Sequence, residues 1–285
     1  MINLFKKSTV YTFAIISTIF TFVPEVVFEK KISIENVLKN FNLENEVISA
    51  INIIVNRILT FVIVWIIVTI FYKIYLRFRN KVIIKGNNYQ ITVEYGDLLK
   101  TEECKKVINF DECFSTHVGN NPADIKETSI CGQYLIANPT LDIQLLISNS
   151  HLTPLDSKSK YQNKERYESG RIVSNGNELL MAFAKLDEDG RGRFFTRDEY
   201  LKCLAVLWEE IDKHYGQQDV CVPILGAGLT RFEGGSGASI PKQELLDMMI
   251  WSYKLSSYKI KSPYKLRIIC RRDDEFSLDK IDSQV

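Results

Sequence analysis

Charge is missing where an ordinary soluble chain would carry it. Residues 8–24, STVYTFAIISTIFTFVP, hold no Asp, Glu, Lys or Arg, and residues 58–72, ILTFVIVWIIVTIFY, hold none either. Ten more uncharged residues, VISAINIIVN, precede the second run and are parted from it only by Arg57. A segment apolar all round, as VIVWIIVTIFY is, is not a one-faced surface helix. With their edges included, both runs reach the roughly 20 residues that cross a bilayer. No small-x-small cleavage site follows the first run, where Phe22 to Phe28 is bulky, so it does not read as a cleaved signal peptide. The expectation is a transmembrane hairpin with spans at about 8–28 and 51–74 and Pro24 near the end of the first helix.

CxxC spacing is also missing. The six cysteines stand at 104, 113, 131, 203, 221 and 270, which excludes a zinc ribbon or finger; no metal is expected. Strong net charge is absent as well, with 36 Lys and Arg against 35 Asp and Glu. The balance is uneven. Residues 1–80 carry nine cations and five anions, leaving 27 cations and 30 anions for residues 81–285. A slightly acidic domain lacks the basic footprint of a nucleic-acid binder. Two domains follow: 1–80, the membrane hairpin, and 81–285, an independent domain.

Orientation comes from the flanking cations. Lys6 and Lys7 precede the first span, and Lys73, Arg77, Arg79, Lys81 and Lys85 follow the second. The connector has Lys30, Lys31 and Lys39 offset by Glu29, Glu35, Glu44 and Glu46. Positive residues mark the cytoplasmic side. The expected topology is two passes of the plasma membrane, with both termini and residues 81–285 cytoplasmic. In that reducing compartment all six cysteines are expected as free thiols.

Past residue 80, KVIIKG and YQITVEY alternate around Asn87-Asn88 and predict a β-hairpin. KKVINF at 105–110 predicts a third strand, and GQYLIANP and TLDIQLLISNS predict short helices. Residues 153–177 read as a polar surface excursion. ELLMAFAKL, DEDGRG and RFF read as strand, turn and strand. The turn places Asp187, Asp189 and Gly192 at EF-hand-like positions, but Arg191 and Asp198 stand where ligands are required, which excludes calcium. Thr196 and Glu199 form a capping box opening a helix over 196–215, with Leu201, Leu204, Trp208 and Ile211 on one face and Gly216 at its end.

The most informative stretch follows. VCVPILGAGLTRF, residues 220–232, is an apolar strand that empties into two glycines, a threonine and an arginine. Gly226 and Gly228 let backbone approach a ligand closely, and free N–H groups in such a loop suit phosphate oxygens. The GxG alone equally fits a plain strand-to-helix turn. A helix from about 241 to 257, with Pro241 in its first turn, and a strand at 265–270 complete an α/β pattern. Ligands in such sheets lie beyond the carboxyl ends of the strands.

YGDLL and VPILGAGLTRF resemble the macrodomain, a three-layer α/β/α fold with a mixed sheet that binds ADP-ribose. SICGQYL, the run from Leu179 to Asp212 and VPILGAGLTRF together resemble the macro-like domain of Thoeris type II antiphage effectors, in which two transmembrane helices precede that domain. The resemblance covers essentially the whole chain and is most specific from Leu179 to Phe232. It implies that Asp97, with Leu98, meets adenine, although Asp97 also fits a turn after Gly96. It implies that Leu225, Gly226, Ala227, Gly228, Leu229 and Thr230 hold a diphosphate, with Arg231 and Phe232 beside it; Arg231 equally fits a solvated loop. Ser129, Ile130, Cys131, Gly132 and Gln133 would line the other side, Cys131 standing where related sequences have His. No catalytic residue is implied. The paired asparagines of hydrolytic macrodomains are absent from VINFDECF, leaving Asn109, Asp111 and His117 as the only groups for such chemistry. The resemblance further implies a signal, histidine-ADP-ribose, made by a partner TIR protein, a homo-oligomer in the bilayer, membrane disruption and cell death. A membrane-tethered hydrolase of ADP-ribose derivatives and a passive scaffold are the rival readings.

Overall fold

The structure is a computed structural model and describes residues 2–24, 27, 44–194, 196–228, 230–232, 240–272 and 276–283. The chain divides into two compact units, Met1–Arg79 and Asn80–Val285.

The first unit contains helix α1, Ile2–Phe22, and helix α2, Asn45–Phe78. The two run antiparallel: Phe13 meets Phe61 at 5.3 Å between ring centroids, and Phe5 meets Trp65 at 5.8 Å. Hydroxyls on α1 return to their own backbone, Thr9 donating to Phe5 O at 2.7 Å and Thr12 to Ser8 O at 2.8 Å. Such internal satisfaction is what an apolar surrounding demands of polar groups. Among the described residues α2 is the one helix long and apolar enough to cross a membrane. The connector cations and glutamates from 29 to 39, and the end of the expected first span, lie outside the described residues.

The second unit is a mixed sheet in the order β1-β2-β9-β7-β3-β5-β6-β8, with β4 paired to β5. Its strands are β1 Lys81–Gly86, β2 Tyr89–Tyr95, β3 Cys104–Asp111, β4 Ile172–Asn175, β5 Glu178–Leu186, β6 Gly192–Phe194, β7 Asp219–Pro223, β8 Arg231–Phe232 and β9 Leu266–Cys270. Its helices are α3 Ile130–Ala137, α4 Ile143–Asn149, α5 Arg197–His214 and α6 Lys242–Leu255. The β1–β2 hairpin turns on Asn88 at φ +62°, a conformation asparagine tolerates. The five strands β2, β9, β7, β3 and β5 are parallel neighbours.

Alternation splits the core across the sheet. Leu179, Met181 and Phe183 of β5 pack with Leu204, Trp208 and Tyr253 of α5 and α6. Leu180 and Ala182 pack on the other face with Tyr134 of α3 and Ile143 and Ile147 of α4. Trp208 Nε1 donates to Ser252 Oγ at 2.9 Å, tying α5 to α6.

Several expectations are corrected. The excursion 153–177 contains β4, whose Ile172 and Val173 are buried and pair antiparallel with Met181 and Leu180. On α5, Leu201 points outward, 40% exposed; the buried face is Tyr200, Cys203, Leu204, Leu207, Trp208 and Ile211. Strand β7 ends at Pro223, and the glycine loop leads into β8, paired in parallel with β6, before any helix. Pro241 is the N-cap of α6, one residue outside it. The six thiols are not all free: Cys104 and Cys221 form a disulfide across the neighbouring strands β3 and β7, where Cys104 pairs with Asp219 and lies diagonal to Cys221, which pairs with Lys106, at 6.2 Å between Cα atoms. Cys113, Cys131, Cys203 and Cys270 are not disulfide-bonded.

Candidate functional site

Parallel strands deliver their carboxyl ends to one edge of the sheet, where ligands of open α/β folds bind. Here Tyr95, Cys270, Pro223 and Asp111 end β2, β9, β7 and β3 along that edge. The glycine loop leaves it at Pro223. Leu225 is buried, and its carbonyl accepts the Tyr200 hydroxyl at 3.0 Å. The chain then turns at Gly226, φ +80°, where glycine is favoured. A Cβ there would lie 3.0 Å from the Phe232 ring.

Below the loop is an aromatic floor. Phe232 stacks on Phe194 at 5.8 Å and meets Tyr200 edge-on at 5.5 Å, while Phe183 meets Phe194 at 4.9 Å. Gly228 differs from Gly226: a Cβ at that position would meet nothing within 4 Å. Ala227 and Thr230 are half-buried and Gly228 is exposed. Leu229 and the Arg231 side chain lie outside the described residues; the Arg231 backbone pairs with Arg193.

At the end of β2, Asp97 Oδ1 accepts Leu99 N at 3.1 Å, so the carboxylate caps the single turn Leu98–Lys100. Leu98 is buried in the same cluster as Cys131 and Cys221, which places this turn against α3 and β7. On α3, Ser129 is the N-cap, its Oγ accepting Gly132 N at 2.9 Å. Gln133 Nε2 donates to Thr128 O at 2.9 Å, and Ile130 is half-buried. Gly132 has an internal explanation: a Cβ there would collide with the Lys126 carbonyl. The Cys131 thiol is buried, and that burial, with Asp111 nearby, pushes its pKa well up and holds it neutral. It is a packed side chain, not a thiolate nucleophile. Leu98, Ile130 and Cys131 thus share one core cluster with Cys221 of β7, the strand that leads into the glycine loop.

Two of the groups weighed for hydrolysis, Asp111 and His117, have these surroundings. Asp111 accepts Cys113 N at 2.8 Å and Ser115 N at 3.2 Å, and burial raises its pKa against those bonds. His117 is exposed and faces Asp124 at 3.8 Å. Among the described residues no cluster of His, Cys, Asp or Glu could hold a metal ion.

Two residues that sequence reasoning missed organise this edge. Tyr200 anchors the loop, and Glu112, 1% exposed, accepts Ser159 Oγ at 2.7 Å, Leu186 N at 3.1 Å and Arg166 Nη1 at 3.3 Å. Glu112 thereby ties the 153–170 excursion to the strand ends. Its partners lie 47 to 74 residues away, beyond any local pattern. Two cavities lie apart from the glycine loop. One of about 760 Å³ is lined by His151, Arg171, Glu210 and His214, and one of about 310 Å³ by Thr92, Glu94 and Arg267.

A glycine loop at the carboxyl edge of a mixed sheet, with helices packed on both faces, defines a macrodomain-like α/β domain, here preceded by two helices. The family described as "Thoeris protein ThsA, Macro domain" matches residues 91–271, and the chain belongs to it. The Thoeris protein ThsA of Bacillus amyloliquefaciens (strain Y2) is 27% identical over 216 residues, covering 70% of this chain and 68% of that relative. Among solved structures, the Oceanobacillus iheyensis macrodomain with ADP aligns at TM-score 0.44 and 10% identity, over 72% of this chain and 98% of its own. The macrodomain of Thermus aquaticus DarG aligns at TM-score 0.37 and 14% identity, over 64% and 98%.

Proposed function

We propose that this protein is a membrane-anchored Thoeris effector whose macro domain senses an ADP-ribose-derived signal, histidine-ADP-ribose, made by a partner TIR protein. The observation that carries the reading is the glycine loop. Its carbonyl at Leu225 is fixed by Tyr200, its turn is floored by Phe232, and Gly228 faces open space. A backbone supported from beneath and open at Gly228 suits a diphosphate, whose oxygens take loop N–H groups. Asp97 spends Oδ1 on its cap, leaving Oδ2 for an adenine amino group. Thr230 stands at the loop's end for a further oxygen.

The protein acts as a sensor, not as a hydrolase. Cys131 is held as a neutral thiol, Asp111 is bound by turn amides, and His117 is paired with Asp124. A neutral Cys131 is a poor nucleophile, and a base acting on a bound water would have to come within hydrogen-bond reach of it. Signal binding acts on the membrane helices of an oligomer, since two helices per chain cannot enclose a pore. The disrupted membrane kills the infected cell. Topology is two-pass, with the macro domain and both termini in the cytoplasm.

The test is calorimetric titration of the full chain in detergent micelles with ADP-ribose and with its histidine conjugate, followed by mass spectrometry of the recovered ligand. Tight binding with intact ligand is expected. Recovery of cleaved ligand would replace the sensor with the hydrolase, and absence of heat with either compound would leave a scaffold.

A further inference from the structure

The antiparallel arrangement of α1 and α2 brings the start of one beside the end of the other. Phe5 contacts Trp65, Phe13 contacts Phe61, and Arg57 lies 5.4 Å from the Phe20 ring, so positions rise on α1 as they fall on α2. Lys6, near the start of α1, and Lys73 and Arg77, in the last turns of α2, lie toward that shared end and are all exposed. Lys73 and Arg77 are four residues apart and share a helical face. No Asp or Glu occurs in residues 1–24 or 47–93, so no carboxylate on these stretches offsets them.

A second chemistry marks the same end. The three tyrosines of positions 1–79, Tyr11, Tyr72 and Tyr75, lie toward that end. Tyr11 meets Tyr72 at 5.8 Å and Tyr72 meets Tyr75 at 6.3 Å. Tyr and Trp collect at headgroup level, where one side of the ring is apolar and the other wet. The opposite end of the pair has none of either among positions 12–64.

We propose that this end of the helix pair is a binding site for anionic phospholipid headgroups, Lys6, Lys73 and Arg77 taking the phosphates and the tyrosines lying among the glycerol backbones. A zwitterionic headgroup fits less well, because its ammonium meets these cations and finds no carboxylate on residues 1–24 or 47–93. The proposal rests on the reading of these helices as membrane-spanning. Each cation near an anionic surface contributes about a five-fold preference.

The full chain is reconstituted into vesicles of equal phosphatidylglycerol and phosphatidylcholine, washed with alkaline carbonate, and extracted in mild detergent. Native mass spectrometry then counts the retained lipids. Expected is at least about five-fold retention of phosphatidylglycerol over phosphatidylcholine. The preference should vanish in the triple variant Lys6→Gln, Lys73→Gln, Arg77→Gln and persist in Lys6→Arg, Lys73→Arg, Arg77→Lys. A wild-type ratio near one in carbonate-resistant protein overturns the lipid site alone, as does a preference that survives the glutamine variant. Release of the protein by carbonate overturns the membrane reading and the lipid site together.

Discussion

Gly226 and Gly228 are one motif in the sequence and two different residues in the structure. At Gly226 the backbone sits at φ +80° and the Phe232 ring waits 3.0 Å from a Cβ. Any side chain there costs about 1–2 kcal/mol in backbone strain before contacts are counted. Gly228 carries neither restriction. Gly228→Val is therefore expected to melt within about 0.5 kcal/mol of wild type while losing at least about ten-fold in affinity for ADP-ribose, worth about 1.4 kcal/mol. Gly226→Val should lose stability and binding together. Thermal melts run beside the titrations separate the two, and undiminished affinity in folded Gly228→Val would remove the diphosphate from this loop. Asp97 can be divided in the same way. Asp97→Asn keeps an acceptor for Leu99 N but loses the charge. An adenine-containing ligand should weaken by about 1.5–3 kcal/mol, while ribose-phosphate binds as before; equal losses would make Asp97 a capping residue only. What sequence could not resolve at this scale is which glycines serve a ligand. Gly132 reads as one that does, yet its space is filled by the Lys126 carbonyl.

Elements were legible where a period or a cap marks them. Helix α5 announces itself through Thr196, whose Oγ1 accepts Glu199 N at 3.1 Å, and β5 through its unbroken apolar run, each face of which is buried. The face of α5 was less legible, because Tyr200 and Leu201 are adjacent and leucine is the more apolar. Tyr200 takes the inward position for a reason only the fold supplies: its hydroxyl reaches the Leu225 carbonyl across 25 residues. Strands β4 and β8, four and two residues long, are too short to carry an alternation, and the Cys104–Cys221 bridge depends on strand order. The anchoring bond can be removed alone. Tyr200→Phe keeps the ring contacts with Phe194 and Phe232 and leaves the Leu225 carbonyl without its donor. Stability should fall by about 1–3 kcal/mol, and amide exchange at residues 224–228 should accelerate more than at Val220–Val222. Uniform acceleration across β7 and the loop would show that the hydroxyl supports the domain generally and does not fix the loop.

At the scale of the whole molecule, the proposed function assigns sensing to one unit and output to the other. Helix α2 has 34 residues and so spans about 51 Å, longer than a hydrocarbon core of about 30 Å. Only Asn80 separates Arg79, which ends the first unit, from Lys81, which begins β1. A ligand moves the membrane part only if it binds one arrangement of the chain better than another. Val64 lies within the charge-free run of α2, and a carboxylate at mid-bilayer costs about 2.5–3.5 kcal/mol. Val64 belongs to the first compact unit, and the glycine loop and the Asp97 turn belong to the second. Val64→Asp should therefore bind the signal with wild-type affinity in micelles and fail to depolarise cells when the signal is supplied. Wild type should depolarise them within the same interval, read with a potential-sensitive dye. Cell killing by Val64→Asp at the wild-type rate, with the potential intact until death, would take the membrane out of the mechanism and return the macro domain to consideration as an enzyme.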